Sequence, residues 1–161
     1  MYKKILVGVD ASEISTKALQ VAAELSKEFG AELHVFHAIV HHYEAPVYPN
    51  QTVPTFNPMR LGPKIDKEAL HEYYKEAGRA VIEQAKSVIE SLDYAPELIV
   101  DYHLELEISP EDFAIGFAND YNFDLIVIGC RGHHSRLKTG LLGTVATKIV
   151  NEATCEVLIV R

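Results

Sequence analysis

The stretch Ile5-Leu6-Val7-Gly8-Val9-Asp10-Ala11-Ser12 passes within a few residues from a continuous apolar run into short polar side chains. An apolar run that does not alternate is the pattern of a strand covered on both faces, as in a parallel sheet. Ser12 is placed to cap the segment that follows. There Ile14, Ala18, Val21, Ala22, Leu25 and Phe29 recur at helical spacing, and Gly30 supplies a stop. Strand character returns over 33–40. Residues 5–40 therefore read as one strand-helix-strand unit, whose crossover is expected to be right-handed.

Outward from that unit the pattern breaks. Residues 41–64 hold five of the seven prolines, Pro46, Pro49, Pro54, Pro58 and Pro63, so no regular element is expected there. Loops of that length usually serve as lids or binding loops, or are disordered. This one reads as an insertion in a single domain spanning 1–161. Its Tyr43, Tyr48 and Phe56 could close over a ligand, pack on a partner or hold the loop down.

Asp66 is placed to cap a long helix whose stripe is Leu70, Tyr73, Tyr74, Ala77, Val81, Ala85, Val88 and Leu92, and Pro96 marks its end. Over 98–105, Leu98, Val100, Tyr102 and Leu104 alternate with Asp101, His103 and Glu105, as in a strand near a sheet edge with one wet face. Ser109-Pro110-Glu111-Asp112 combines an N-cap, a first-turn proline and two acids at the positive end of a helix dipole. Phe113, Ala114, Phe117 and Ala118 are the expected buried face of that helix. A fourth strand over 125–128, a last helix over 144–152 and a fifth strand over 157–160 complete a β-α-β-α-β-α-β-α-β order. That is an α/β fold with an open, mainly parallel sheet of five strands and four helices.

The bulk properties exclude several classes. The 161 residues carry a net charge of −8 with a pI near 5.4, which repels polyanions as a whole; neither a nucleic-acid partner nor a membrane surface is expected. No run approaches the roughly 20 apolar residues of a spanning helix, and the N-terminus lacks a signal-peptide pattern. Cys130 and Cys155 have no zinc-site spacing and do not make a disulfide framework, so a reducing, cytoplasmic setting is expected.

Ligands of open parallel sheets bind beyond the carboxyl ends of the strands, where the strand order reverses. Two loops leave such ends with suggestive residues: Val9-Asp10-Ala11-Ser12, and Gly129-Cys130-Arg131-Gly132. They are neighbours only in the order 3-2-1-4-5. The order 2-1-3-4-5 would set Asp10 beside Glu105 and Glu107, a crevice hostile to phosphate, so the basic second loop favours the first order and a Rossmann-like sheet.

Charge placement sharpens this reading. The chain has 23 acids, yet none falls in the 27 residues from Leu125 to Asn151. Random placement would leave such a window empty about two times in a hundred. Arg131, Arg136, Lys138 and Lys148 lie in it, with His133 and His134. Gly129 and Gly132 can expose backbone amides, and Gly143-Thr144 opens the last helix, where unpaired amides and the dipole favour an anion. A di- or triphosphate between two amide-rich turns is the chemistry indicated.

The N-terminal Lys-Lys-Ile-Leu-Val-Gly-Val-Asp-Ala-Ser, the Asp124–Gly132 segment, Leu141-Leu-Gly-Thr-Val145 and the closing Cys155-Glu-Val-Leu-Ile-Val160 together resemble the universal stress protein family over nearly the whole chain except 41–64. Nucleotide-binding members share Gly, two residues, Gly, nine residues, then Gly with Ser or Thr. Gly129, Gly132 and Gly143-Thr144 fit that pattern with ten intervening residues, and Gly140 has the conformational freedom to absorb the extra one. The resemblance implies ATP, with or without Mg, as the bound nucleotide. It implies Gly8, Val9 and Asp10 on the adenine side, Ala38 and Ile39 where backbone meets the base, and Ile128 and Val145 flanking the phosphate loops around Gly129, Arg131, Gly132, Gly143 and Thr144. It also implies a homodimer through the last strand, Glu156 to Val160, and a regulatory, stress-response role.

Plainer readings stand beside these. Asp10 could serve only the first helix start, and the glycines could be turn residues. The pairs His41-His42 and His133-His134 have no carboxylate or cysteine at ligand spacing, so no metal site is expected. Cys130 lies beside cationic residues that would permit redox sensing, but chance placement is the favoured reading. A dimeric scaffold without nucleotide, or a slow ATPase or phosphotransferase, would use the same fold; the chain lacks the P-loop pattern of dedicated ATPases, and no residue is assigned a catalytic role.

Overall fold

The computed structural model describes residues 1–40, 67–131 and 142–161. The apolar N-terminal run forms the central strand β1 (Lys4–Gly8), which pairs in parallel with β2 (Glu32–Ile39) on one side and β4 (Leu125–Gly129) on the other. β3 (Val100–Leu106) lies outside β2 and β5 (Glu156–Val160) outside β4, both parallel, giving the order β3-β2-β1-β4-β5. The order expected from the basic loop is the order observed. All strands run the same way, but the chain adds them outward from β1 to one side and then from β4 to the other, so the crevice at the carboxyl ends of β1 and β4 is the switch point.

Side chains alternate between two cores. Ile5, Val7, Leu125 and Val127 face α1 (Glu13–Phe29) and α2 (Lys67–Glu90), while Leu6, Ile126 and Ile128 face α3 (Pro110–Asp120) and α4 (Thr144–Glu152). A strand buried on both faces leaves no position for a polar residue, which explains the unalternating sequence of β1 and β4.

The helix starts follow their caps. The Ser12 hydroxyl accepts from the Ser15 amide at 3.1 Å, Ser109 accepts from the Asp112 amide at 3.1 Å, and Gly30 ends α1 at φ 63°. The expected cap Asp66 and the expected insertion 41–64, with its histidine pair and aromatic residues, lie outside the described residues.

The expected stripes do pack on the core, through Ala18, Val21, Ala22, Leu25 and Phe29 of α1 and Val81, Ala85 and Val88 of α2, but the most buried positions include small residues that apolar periodicity does not name. In α1 the fully buried positions are Ser15, Ala18, Leu19, Ala22, Ala23 and Ser26. Two serines occupy core positions because their hydroxyls are satisfied locally: Ser26 donates to the Ala31 carbonyl, and Ser15 to the Ser12 carbonyl. In α2 the seam is Gly78, Ile82, Ala85 and Ile89, whereas Tyr73 is exposed. A Cβ on Gly78 would lie 2.5 Å from Leu104 Cδ1 and 3.3 Å from Ile39 Cδ1. The helix sits that close to the sheet because a glycine faces it.

β3 is an edge strand as expected, but its polar face is only partly wet. His103 is covered by Phe113 and Phe117 of α3, and its Nε2 lies 3.0 Å from His34 Nδ1 on β2, where the two rings run nearly parallel. Phe123 closes the His34 ring edge-on, and the Glu32 and Asp101 carboxylates stand 3.8 and 3.9 Å from His34 Nε2. Burial, and the neighbouring His34, push the His103 imidazole below its ordinary range, against a smaller opposing pull from Asp101.

Candidate nucleotide-binding crevice

The sequence-derived candidates Gly8, Val9 and Asp10 leave the end of β1, Ala38 and Ile39 end β2, Ile128 and Gly129 end β4 with Arg131 just beyond, and Gly143, Thr144 and Val145 open α4. All lie at the carboxyl end of the sheet or at the first turn of α4. Gly132 belongs to the undescribed residues, as do Arg136, Lys138, Gly140 and the pair His133-His134.

The β1 exit is held by a chain of short polar contacts. Val9 donates its amide to the Phe36 carbonyl at 2.9 Å, which extends the β1–β2 ladder one residue past Gly8. The Asp10 amide donates to Ser15 Oγ at 3.2 Å. Asp10 Oδ1 then accepts from the Ser12 amide at 3.1 Å and from its hydroxyl at 2.6 Å, closing a turn across Ala11, which takes the left-handed φ of 62°. The cap is thus Ser12, and Asp10 braces it. The two roles weighed for Asp10 from sequence are therefore not exclusive.

His37 also enters here. Its Nδ1 lies 2.6 Å from the Val9 carbonyl, so the ring donates through Nδ1. Burial pushes the His37 imidazole down, outweighing the Val9 carbonyl and the Asp10 carboxylate, which pull it up.

At β2 the ladder decides which backbone groups face the crevice. In a parallel strand, alternate residues present both N–H and C=O to the same neighbour. Phe36 faces β1, as its bond from Val9 shows. Ala38, two residues on, faces the same way where β1 has already ended. Ile39 faces the other way, its carbonyl accepting from the Glu107 amide at 2.8 Å, so the Ile39 carbonyl is turned from the crevice toward β3.

On the β4 side, Gly129 is dictated by contact. A Cβ there would fall 2.7 Å from Ile14 Cγ2, and only a hydrogen lets the first turn of α1 lie against the end of β4. That contact brings the two candidate loops together. Cys130 is buried, donates its amide to the Val160 carbonyl at 2.8 Å, and accepts from the Gly143 amide at 2.8 Å. The β4 exit and the α4 start are therefore tied to each other.

Among the described residues the α4 start carries no side-chain cap, and its first turn holds no acid. The Gly143 amide is spent on Cys130, and the first intrahelical bond runs from the Thr147 amide to the Gly143 carbonyl at 2.9 Å. The amides of Thr144 and Val145 therefore have no acceptor along the helix. Lys148, counted from sequence among the cations of the acid-free window, instead reaches Asp112 of α3 at 2.6 Å and serves the α3–α4 contact. It lies a turn along the helix, on the flank that meets α3. Asp124, which immediately precedes β4, accepts from the Lys3 and Lys4 amides at 2.7 and 2.9 Å at the opposite end of the sheet, and its role is structural.

His37, Ser15 and Ile14 are the site residues that sequence reasoning passed over. His37 sits in an ordinary-looking strand, Ser15 in a helical run, and only the three-dimensional contact distinguishes them. Among the described residues, no three His, Cys, Asp or Glu side chains could hold a metal ion, and no helix is long and apolar enough to cross a membrane.

Known proteins place this arrangement. Universal stress protein MJ0531 of Methanocaldococcus jannaschii is 32% identical over 162 residues, covering 100% of this chain and 83% of the relative. Universal stress protein YxiE of Bacillus subtilis is 32% identical over 161 residues, covering 100% of both. Two solved structures share the fold. The universal stress protein of Archaeoglobus fulgidus in complex with dAMP superposes with a TM-score of 0.65 at 22% identity, covering 99% of this chain and 98% of that one. A universal stress protein in complex with cAMP superposes with a TM-score of 0.68 at 19% identity, covering 99% and 97%. The profile of the universal stress protein family matches residues 1–161, and the chain belongs to that family.

Proposed function

We propose that the chain binds an adenine nucleotide, ATP with or without Mg, in the crevice between β1 and β4, and acts as a regulatory binding module of the cytoplasm. The observation that carries this reading is the α4 start. Among the described residues its leading amides have no side-chain cap, its first turn holds no acid, and its Gly143 is tied to the turn that ends β4. Such a start favours a phosphate through unpaired amides and the helix dipole together.

The rest of the nucleotide follows from the ladder. The Ala38 N–H and C=O face the crevice side by side, a donor and an acceptor that match the N1 and N6 edge of adenine, while Val9 and Ile128, buried in the two cores, anchor the strand ends on either side. Asp10 lies on the ribose and base side. The dAMP and cAMP complexes of the two structural neighbours support an adenine nucleotide as the ligand class. A homodimer through the outer edge of β5 belongs to the same reading.

The direct test denatures the purified protein and chromatographs what it releases, then titrates the emptied protein with ATP and Mg by calorimetry. Thr144→Pro, compared with Thr144→Val as the control that removes the hydroxyl alone, isolates the key amide. Proline suits the first helical position, and Gly143, at φ −66° and ψ 164°, already has the extended conformation a residue before proline needs. The helix should persist while ATP affinity falls about tenfold, the loss of one charge-assisted hydrogen bond. An emptied protein that ATP neither heats nor stabilises would favour the scaffold reading, and prompt release of ADP would favour the hydrolase.

A further inference from the structure

We propose that His37 is a positioning residue for the nucleotide: its Nδ1–H, by holding the Val9 carbonyl, fixes the peptide that carries Asp10 at the carboxyl end of β1. This inference rests on the nucleotide reading above.

The Val9–Asp10 peptide is gripped at both of its polar ends. Its carbonyl accepts from His37 Nδ1 at 2.6 Å, from β2, and its N–H donates to Ser15 Oγ at 3.2 Å, from α1. Two bonds from two different elements leave that peptide plane no rotation. The chain then turns through Ala11 at positive φ and returns Ser12 to Asp10 Oδ1. The backbone that carries Asp10 is thus held from two elements and its carboxylate by Ser12, and the His37 bond comes from the strand whose next residue, Ala38, faces the base position. His37 therefore fixes the spacing between the two groups that would read the adenosine half of the ligand. Preorganised groups bind more tightly because less ordering is left to do on binding.

The imidazole is suited to this task. Val9 is buried, and an unpaired carbonyl there would be costly, so the donor is needed whether or not ligand is present. Burial also keeps the ring neutral near neutral pH, which spares the adjacent Asp10 a competing cation.

The test compares three substitutions. Asn places its amide nitrogen where Nδ1 stands, Gln places it where Nε2 stands, and Phe keeps the bulk without a donor. ATP and adenosine are titrated separately by calorimetry against the unaltered chain, His37→Asn, His37→Gln and His37→Phe, with thermal melting as the folding control. Expected are near-native affinity for His37→Asn and about tenfold weaker binding for His37→Gln and His37→Phe. The same factor should appear for adenosine as for ATP, because the defect lies on the base side. If His37→Phe fails to fold, the Asn and Gln pair decides alone.

Folded Gln and Phe variants that bind within twofold of the unaltered chain would overturn the inference while leaving the nucleotide reading intact. So would an Asn variant as weak as Phe, or a loss confined to ATP. An unaltered chain that binds neither ligand overturns the nucleotide reading, and this one with it.

Discussion

A methyl group at Gly129 would fall 2.7 Å from Ile14 Cγ2, and the group that must yield belongs to the first turn of α1, whose backbone lies only 3.5 Å away. Gly129→Ala should therefore destabilise the protein by about 1–3 kcal/mol, the usual cost of overpacking, as read from denaturant midpoints. Ala11 presents the complementary case of backbone strain. At φ 62° it tolerates a small side chain, whereas Ala11→Val places a β-branched residue in the left-handed region and should cost about 1–3 kcal/mol. The sequence marked both Gly129 and the Asp10 turn as special, because glycine and short polar residues after a strand are local signals. It could not mark His37. A histidine pointing inward from a strand looks the same whether or not a carbonyl awaits it, and Val9 lies 28 positions away in the chain.

Elements were legible where local chemistry fixes their ends and less so where packing fixes their faces. The caps Ser12, Ser109 and Gly30 fell where the side chains require. The seams of α1 and α2 did not follow the largest apolar residues, because Ser15, Ser26 and Gly78 are admitted to the core by a local hydrogen bond or a close approach that hydrophobicity does not encode. The covered face of β3 has an energetic signature of its own. His103 and His37 are both harder to protonate in the folded chain, so the unfolded chain takes up more protons once pH drops through about 6.5. Stability should hold above that pH, fall as pH decreases below it, and level only when the folded imidazoles also titrate. Thermal melts at pH 7.5 and 5.5 should differ, and His103→Leu should reduce the difference. The depressed carboxylates Asp112, held down by Lys148 and Ser109, and Asp124, held down by the Lys3 and Lys4 amides, act in a separate window. Their contribution is present above the usual carboxylate range and is lost at lower pH.

For the molecule as a whole, the strand order was readable because electrostatics allows only one of the two common orders to put the basic loop beside Asp10 without the Glu105 and Glu107 carboxylates. Assembly is less directly written, since the strand at an edge looks the same in a monomer and in a dimer. If subunits pair through β5, melting temperature should rise with protein concentration, because association stabilises only the folded form; a concentration-independent midpoint would argue for a monomer.

The amide and carbonyl of Cys130 give that edge one more property. One residue carries both the carbonyl that accepts from Gly143 and the amide that donates to Val160, so the start of α4 and the outermost strand share a hinge pin rather than a relay. If a nucleotide fills the cradle, the terminal margin of the sheet should stiffen with it, and slowed deuterium uptake at the Cys130 amide would be the first trace.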